Sequence, residues 1–178
     1  GTHGGAAGSG GQSGSAGTTS GSGGKAGSSG TAGAGGKAGT ACGSSKLPIA
    51  AATGTEERAD LGPEFAIDGN MTTRWASARS EPQTLDLDLG EVVTVNRVVI
   101  NWEAAYATNY QLQIASNAAG PFTTIYTDAA GNGDTDDITT LTVSDGRYLR
   151  MNGITRKTTY GFSIFEITVY GDKDKSCK

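Results

Sequence analysis

Residues 1–41 contain no Leu, Ile, Val, Met, Phe, Tyr or Trp. A segment without large apolar side chains has nothing to bury and cannot offset the entropy of ordering its backbone. The fold must therefore come from residues 42–178, a length typical of one domain and enough to bury about two-thirds of its unfolded surface. The first segment holds 17 of the 29 glycines and repeats GGKAG at 23–27 and 35–39. As a flexible Gly/Ser/Ala-rich linker it would span about 35 Å. Glycine also recurs every third residue at 24, 27, 30, 33, 36 and 39. All four prolines lie outside the segment, which excludes a collagen helix but leaves a stacked polyglycine assembly as an alternative.

The single histidine, His3, lies in that segment. Residues 42–178 thus have no histidine base, no Ser-His or Cys-His pair and no imidazole ligand. Two cysteines, Cys42 and Cys177, cannot build a zinc knuckle or a Cys-x-x-Cys redox pair. No phosphate-binding glycine motif follows a strand. What remains is carboxylate chemistry, a hard-metal site, or binding without catalysis.

With Lys25 and Lys37 in the first segment, the domain has 12 bases against 18 acids, a net charge of −6. That balance disfavours nucleic acid and anionic membranes and suits neutral or cationic ligands. No apolar run is long enough to span a bilayer. The sequence opens at Gly1 without Met, as expected of a processed or excised fragment.

From Leu47 onward the apolar residues recur with period two. Leu85, Leu87 and Leu89 alternate with Asp86 and Asp88; residues 92–102 form a long β-branched run; Tyr110, Leu112 and Ile114 alternate again. Further strands are predicted at 122–126, 138–143, 147–151 and 163–170. Turns are predicted at Asp68-Gly69-Asn70 and Asn132-Gly133-Asp134, and a tight hairpin at Asp145-Gly146. EERAD at 56–60 could form one helical turn. The reading is an all-β fold, an antiparallel sandwich or barrel. Cys42 precedes the first strand and Cys177 follows the last. If those strands pair, a disulfide would close a very long loop, worth about 4–5 kcal/mol in chain-entropy terms, and would point to an exported protein.

Three stretches in order carry a family resemblance: AIDGNMTTRWAS at 66–77, QTLDLDLGEVVTVNRVVINWEAAYATNYQLQIA at 83–115, and RKTTYGFSIFEITVYG at 156–171. They resemble the discoidin or coagulation factor 5/8 type C family, and within it the bacterial family 32 carbohydrate-binding modules. The NWEAAY and TxYGxS phrasing is similar to that of modules attached to chitosan-degrading enzymes. The resemblance implies a jelly-roll-like antiparallel β-sandwich, galactose-binding-domain-like, whose loops at one end bind ligand. It further implies a structural calcium ion held by Ala66, Asp68, Asn70, Thr73 and Glu166. The local chemistry agrees, since calcium takes six to eight hard oxygens and Glu166 is a lone carboxylate in an apolar strand. An ordinary turn capped by Asp68 is the alternative.

Trp75 and Trp102 lie in or beside apolar strands, where core packing is expected rather than sugar stacking. Phe122 reads as a strand-start residue. The aromatic expected at the surface is Tyr160, with Tyr106 second. Polar ligand candidates are Glu57, with Glu56 beside it, and Arg79, Glu103 and Arg156. Carboxylates and guanidinium forks can pair with sugar hydroxyls, and glutamates suit a glucosamine ammonium. Each Glu has the alternative of a solvated loop carboxylate, and Arg156 that of an ion pair holding its loop. The run Asp134-Thr135-Asp136-Asp137 is expected to be solvated rather than a second metal site.

The leading expectation is a secreted or cell-surface, non-catalytic carbohydrate-binding module that tethers an extracellular protein to a polysaccharide containing glucosamine. The alternatives are a cell-surface adhesion or protein-interaction module and a filament subunit assembled through the Gly-rich segment. A two-carboxylate glycosidase using Glu57 and Glu103 is the least favoured reading.

Overall fold

The computed structural model describes residues 43–174. The predicted disulfide of Cys42 with Cys177 and the tether at 1–41 lie outside the described residues. Nine strands form: β1 (Ser45–Lys46), β2 (Ala51–Gly54), β3 (Trp75–Ala76), β4 (Gln83–Trp102), β5 (Ala107–Ala115), β6 (Thr123–Asp128), β7 (Thr135–Ile138), β8 (Ser144–Arg156) and β9 (Ser163–Asp172). Two short 3-10 turns, Ala59–Leu61 and Pro63–Ala66, are the helical content among the described residues.

All nine strands are antiparallel and hydrogen-bonded into one continuous sheet. It becomes a two-layered sandwich because β4 changes partners along its length. Gln83 to Asp88 pairs with β8 on one side, and Leu85 to Asp88 with β2 on the other. After a break in register between Asp88 and Val93, Val93 to Val95 still pairs with β8, while Thr94 to Trp102 pairs with β9 and Val98 to Asn101 with β7. Gly90 sits in that break at φ +80°, a left-handed conformation that favours glycine, and its N–H donates to Asp88 at 2.8 Å. The alternation holds on each side of the bend but changes parity at a second irregularity between Val95 and Arg97. Leu85, Leu87, Leu89, Val93, Val95, Val98 and Ile100 are all buried in one core. The first and last strands pair, with Ser45 opposite Gly171.

Both tryptophans are buried, and each indole N–H is satisfied at 2.7 Å, Trp75 by the Thr55 carbonyl and Trp102 by the Asp136 carboxylate. Burying such a donor unpaired would be costly, so the core position and the acceptor come together.

Three local expectations are corrected. Asp145-Gly146 is not a hairpin: both residues lie inside β8, opposite Thr94 and Val93. Gly146 is glycine for space, because a Cβ there would fall 2.4 Å from Ile114 Cγ1. The strand expected at 138–143 lies earlier, at Thr135–Ile138, so most of the acidic run is strand, with Asp134, Thr135 and Asp137 exposed as expected and Asp136 half-buried. The Asp136 carboxylate accepts from Trp102 and Tyr110, and that of Asp137 from Arg97. The helical turn expected at 56–60 begins only at Ala59.

Candidate functional site

At one end of the sandwich the chain leaves β2 at Gly54, enters β4 at Gln83, leaves β4 at Trp102 and enters β9 at Ser163. Backbone hydrogen bonds tie the connecting loops together. Glu57 N–H donates to Ala76 at 2.8 Å, Glu103 N–H to Ser163 at 3.0 Å, and Lys157 N–H to Tyr106 at 3.0 Å. The result is an open cleft of about 130 Å³ lined by Glu57, Arg74, Ala76, Glu103, Ala105, Tyr160, Gly161 and Ser163. Three predicted ligand residues, Glu57, Glu103 and Tyr160, therefore meet in one place although they are far apart in sequence.

Tyr160 is 54% exposed, whereas every other aromatic among the described residues is wholly or partly buried. Its turn is anchored from below. Gly161 packs so tightly that a Cβ would fall 2.1 Å from the Ser77 carbonyl oxygen. Ser77 N–H donates to the Phe162 carbonyl, and the Phe162 N–H returns a bond to Ser77 Oγ, both at 2.9 Å. Arg156 lies behind the turn: it donates to the carbonyls of Thr159 and Tyr160 at 3.3 and 3.2 Å and ion-pairs with Glu81 at 3.2 Å. Its N–H and side chain hold the Glu81 carboxyl below its usual range, the backbone bond most of all. Arg156 thus fixes the aromatic platform from outside the cleft.

Glu103 accepts from its neighbour Ala105 N–H at 2.9 Å, which orients its carboxylate. Arg79 donates through Nε (3.0 Å) and Nη2 to the same Glu57 oxygen, and its Cζ lies 4.7 Å from the centre of the Tyr160 ring. The bond to Glu57 raises the Arg79 pKa further. Tyr106 stands apart from the cleft. It packs against the core and over Gly133, where an added Cβ would come within 2.8 Å of its ring. Glu56 is exposed and does not line the cleft.

Arg74 was not anticipated. It is half-buried between this cleft and a neighbouring shallow groove, of about 420 Å³, that also involves Asp60, Thr72, Glu103 and Phe165. Its Nε is buried without a hydrogen-bond partner. The signal available was its place just before the core Trp75, at the end of the loop that carries the Asp68 turn.

The Asp68 turn lies against β9. Asp68 accepts from Asn70 N–H at 2.8 Å and from Thr73 Oγ1 at 2.7 Å, while that hydroxyl also lies 2.8 Å from the Asn70 carbonyl. Gly69, at φ +77°, turns its N–H to Glu166 at 3.0 Å. Glu166 is buried at 7% exposure, and desolvation raises its carboxyl pKa, with Asp68 adding to the rise and the Gly69 N–H and Lys46 opposing it. Among the described residues no three His, Cys, Asp or Glu side chains converge. An ion here would rest on two carboxylates with carbonyl and hydroxyl oxygens, a donor set that fits a hard cation.

The profile of the F5/8 type C domain matches residues 49–167, and the chain belongs to that family. Among solved structures, chitosan-binding module 1 of a chitosanase/glucanase from Paenibacillus sp. IK-5 is 46% identical, with a TM-score of 0.65 over 70% of this chain and 96% of that one. Module 2 of the same enzyme, solved with chitotriose, is 38% identical, with a TM-score of 0.65 over 70% and 98%. The family 32 module of AlyQ, solved with 4,5-unsaturated mannuronic acid, is 27% identical, with a TM-score of 0.59 over 70% and 97%. No curated protein matches the chain. The described domain has the carbohydrate-binding-module fold of these relatives. No helix among the described residues is long and apolar enough to cross a membrane.

Proposed function

We propose that the domain is a non-catalytic module that binds a glucosamine-containing oligosaccharide in the Glu57–Glu103–Tyr160 cleft. The observation that carries this reading is the convergence of two carboxylates and an exposed aromatic ring on one shallow cleft of an acidic domain. The ring supplies an apolar platform for the C–H face of a sugar, and the carboxylates accept from hydroxyls and from an ammonium. Arg74 lines the same cleft, and a guanidinium there can donate to sugar oxygens. The chitosan-binding relatives, at 38–46% identity over nearly their whole length, support the amino-sugar class. The cleft is open and small, as suits weak binding by a module that raises local concentration on a polysaccharide. Residues 1–41 have the composition of a tether for that role, and secretion is part of the same reading.

The reading includes a structural calcium ion held by the carbonyls of Ala66 and Asn70, the Asp68 and Glu166 carboxylates, and the hydroxyl and carbonyl of Thr73. Its contribution would be to neutralise the buried Glu166 and pin the 66–73 turn to β9.

Calorimetric titration with glucosamine trimer and its N-acetylated counterpart tests the function. Binding of the glucosamine trimer is expected, reduced about tenfold, or about 1.4 kcal/mol, in Tyr160→Ala. Glu103→Gln should weaken the glucosamine trimer more than the acetylated one. Absence of binding to both trimers by the folded protein would refute the assignment.

A further inference from the structure

Arg79 is not among the residues lining the cleft, yet it reaches two that are. Its guanidinium contacts both groups that the proposed ligand needs, Glu57 through two N–H donors and Tyr160 through the ring face. The two partners differ in how firmly they are held. The Glu57 side chain is 19% exposed and its backbone is bonded to Ala76, whereas the Arg79 side chain is 55% exposed and extends from the irregular segment between β3 and β4. Arg79 therefore covers Glu57 from the solvent side. The pair also engages only one carboxylate oxygen. Both donors fall on one oxygen, Glu57 Oε1, whereas Arg147 and Arg150 each fork across both oxygens of Asp88 and Asp86 on neighbouring strands. A guanidinium on a flexible stem, exposed and bonded to one oxygen, is the kind of ion pair that exchanges easily.

We infer that Arg79 is a built-in competitor for the ligand, a specificity-determining residue that occupies the cation seat on Glu57 and the face of Tyr160 until a sugar ammonium displaces it. The inference rests on the amino-sugar reading of the cleft and adds a consequence for selectivity. An ammonium arriving on Glu57 replaces the departing guanidinium charge for charge, so the partly buried carboxylate is never left without a cation. A neutral sugar offers no such exchange: it must either leave Arg79 on Tyr160 or strip Glu57 of its counter-ion. Arg79 thus discriminates against uncharged sugars that the aromatic platform alone would accept.

Titration of wild type, Arg79→Ala and Arg79→Lys with glucosamine trimer and N-acetylglucosamine trimer, with the Arg79 Nε–H signal followed by NMR, tests this. The expected result has three parts. Arg79→Ala binds glucosamine trimer about threefold more tightly than wild type, Arg79→Lys falls between them, and saturation with glucosamine trimer shifts the wild-type Nε–H signal and abolishes its protection from exchange. Wild-type binding that is unchanged or weakened by Arg79→Ala, or that leaves the Nε–H signal in place, overturns the inference while the cleft reading stands. Failure of wild type and both variants to bind either trimer, with all three folded, overturns the cleft reading and the inference together.

Discussion

The turn at Asp68-Gly69-Asn70 and the strand Thr135–Ile138 are both acidic, both adjoin a glycine with positive φ, and both pack beside β4 or its partner β9. Their carboxylates meet different surroundings. In the strand, Asp136 accepts from the Trp102 indole and the Tyr110 hydroxyl, each at 2.7 Å, and Asp137 forks onto Arg97 at 2.7 and 2.8 Å. In the turn, Asp68 and Glu166 accept only from backbone amides and the Thr73 hydroxyl, and among the described residues neither forms an ion pair. The first cluster is complete with protein donors alone. The second brings a buried carboxylate and a second acid together with neutral donors, which leaves room for a bound cation to add stability.

The largest expected effect breaks the complete cluster. Asp136→Ala would leave two buried donors, Trp102 Nε1 and the Tyr110 hydroxyl, without their acceptor. Each such loss costs roughly 1–3 kcal/mol, so a destabilisation of about 2–4 kcal/mol is expected in urea titration. Asp136→Asn keeps an acceptor oxygen and should lose less than half of that. Burial and the Asp136 bond both hold the Tyr110 hydroxyl protonated well past its ordinary range, so no alkaline transition from this pair should intervene below the usual tyrosine pKa. An Asp136→Ala variant as stable as wild type would mean that acidity in this strand is incidental.

The next effect sharpens the other side. Desolvation raises the Glu166 pKa, so the folded state binds that proton more tightly than the unfolded chain does. Stability from this group is therefore full below the ordinary carboxylate pKa and falls as pH rises through that value toward the raised one. Lys46 offsets part of the loss and Asp68 deepens it. In chelator, Glu166→Gln should be more stable than wild type at pH 7 by about 1 kcal/mol, the scale of a buried polar penalty, and less sensitive to pH between 4 and 7. Millimolar calcium should reverse the order by raising the melting temperature of wild type and leaving the variant unchanged. If calcium moves neither protein, the turn is an ordinary capped turn and the two clusters differ only in burial.

These two regions also show what sequence could reveal. Alternation along β4 identified its buried side, and the apolar neighbourhoods of Trp75 and Trp102 marked them as core, because burial is written into period two. Tyr160 was legible for the converse reason, lying in a turn where no alternation demanded burial. Pairings were not legible. Arg79 meets Glu57 from 22 residues away and Arg156 meets Glu81 from 75 away, and only the folded loops bring them together. Gly146 misled because a glycine needed for closeness to Ile114 looks in sequence like a glycine needed for a turn. The acidic run was legible in part: Asp134 and Asp137 are exposed as charge suggests, whereas Asp136 turns inward to the Trp102 and Tyr110 donors.

The smallest effect asks whether every charge in the complete cluster matters. Arg97 and Asp137 are 35% and 50% exposed, and Arg97 also lies 4.6 Å over the Tyr170 ring. The Arg97 bond lowers the Asp137 pKa, so this pair adds stability above the usual carboxylate range and loses it as pH falls through the lowered value. Exposed pairs are nonetheless weak and screened by salt. Asp137→Asn is expected to shift the melting temperature by about 2 °C or less, and the shift should vanish in 1 M salt or at pH 2. A larger, salt-resistant loss would place Asp137 with Asp136 as a structural acceptor. A small, screened one confines the strand's electrostatic work to the single carboxylate beneath Trp102 and Tyr110.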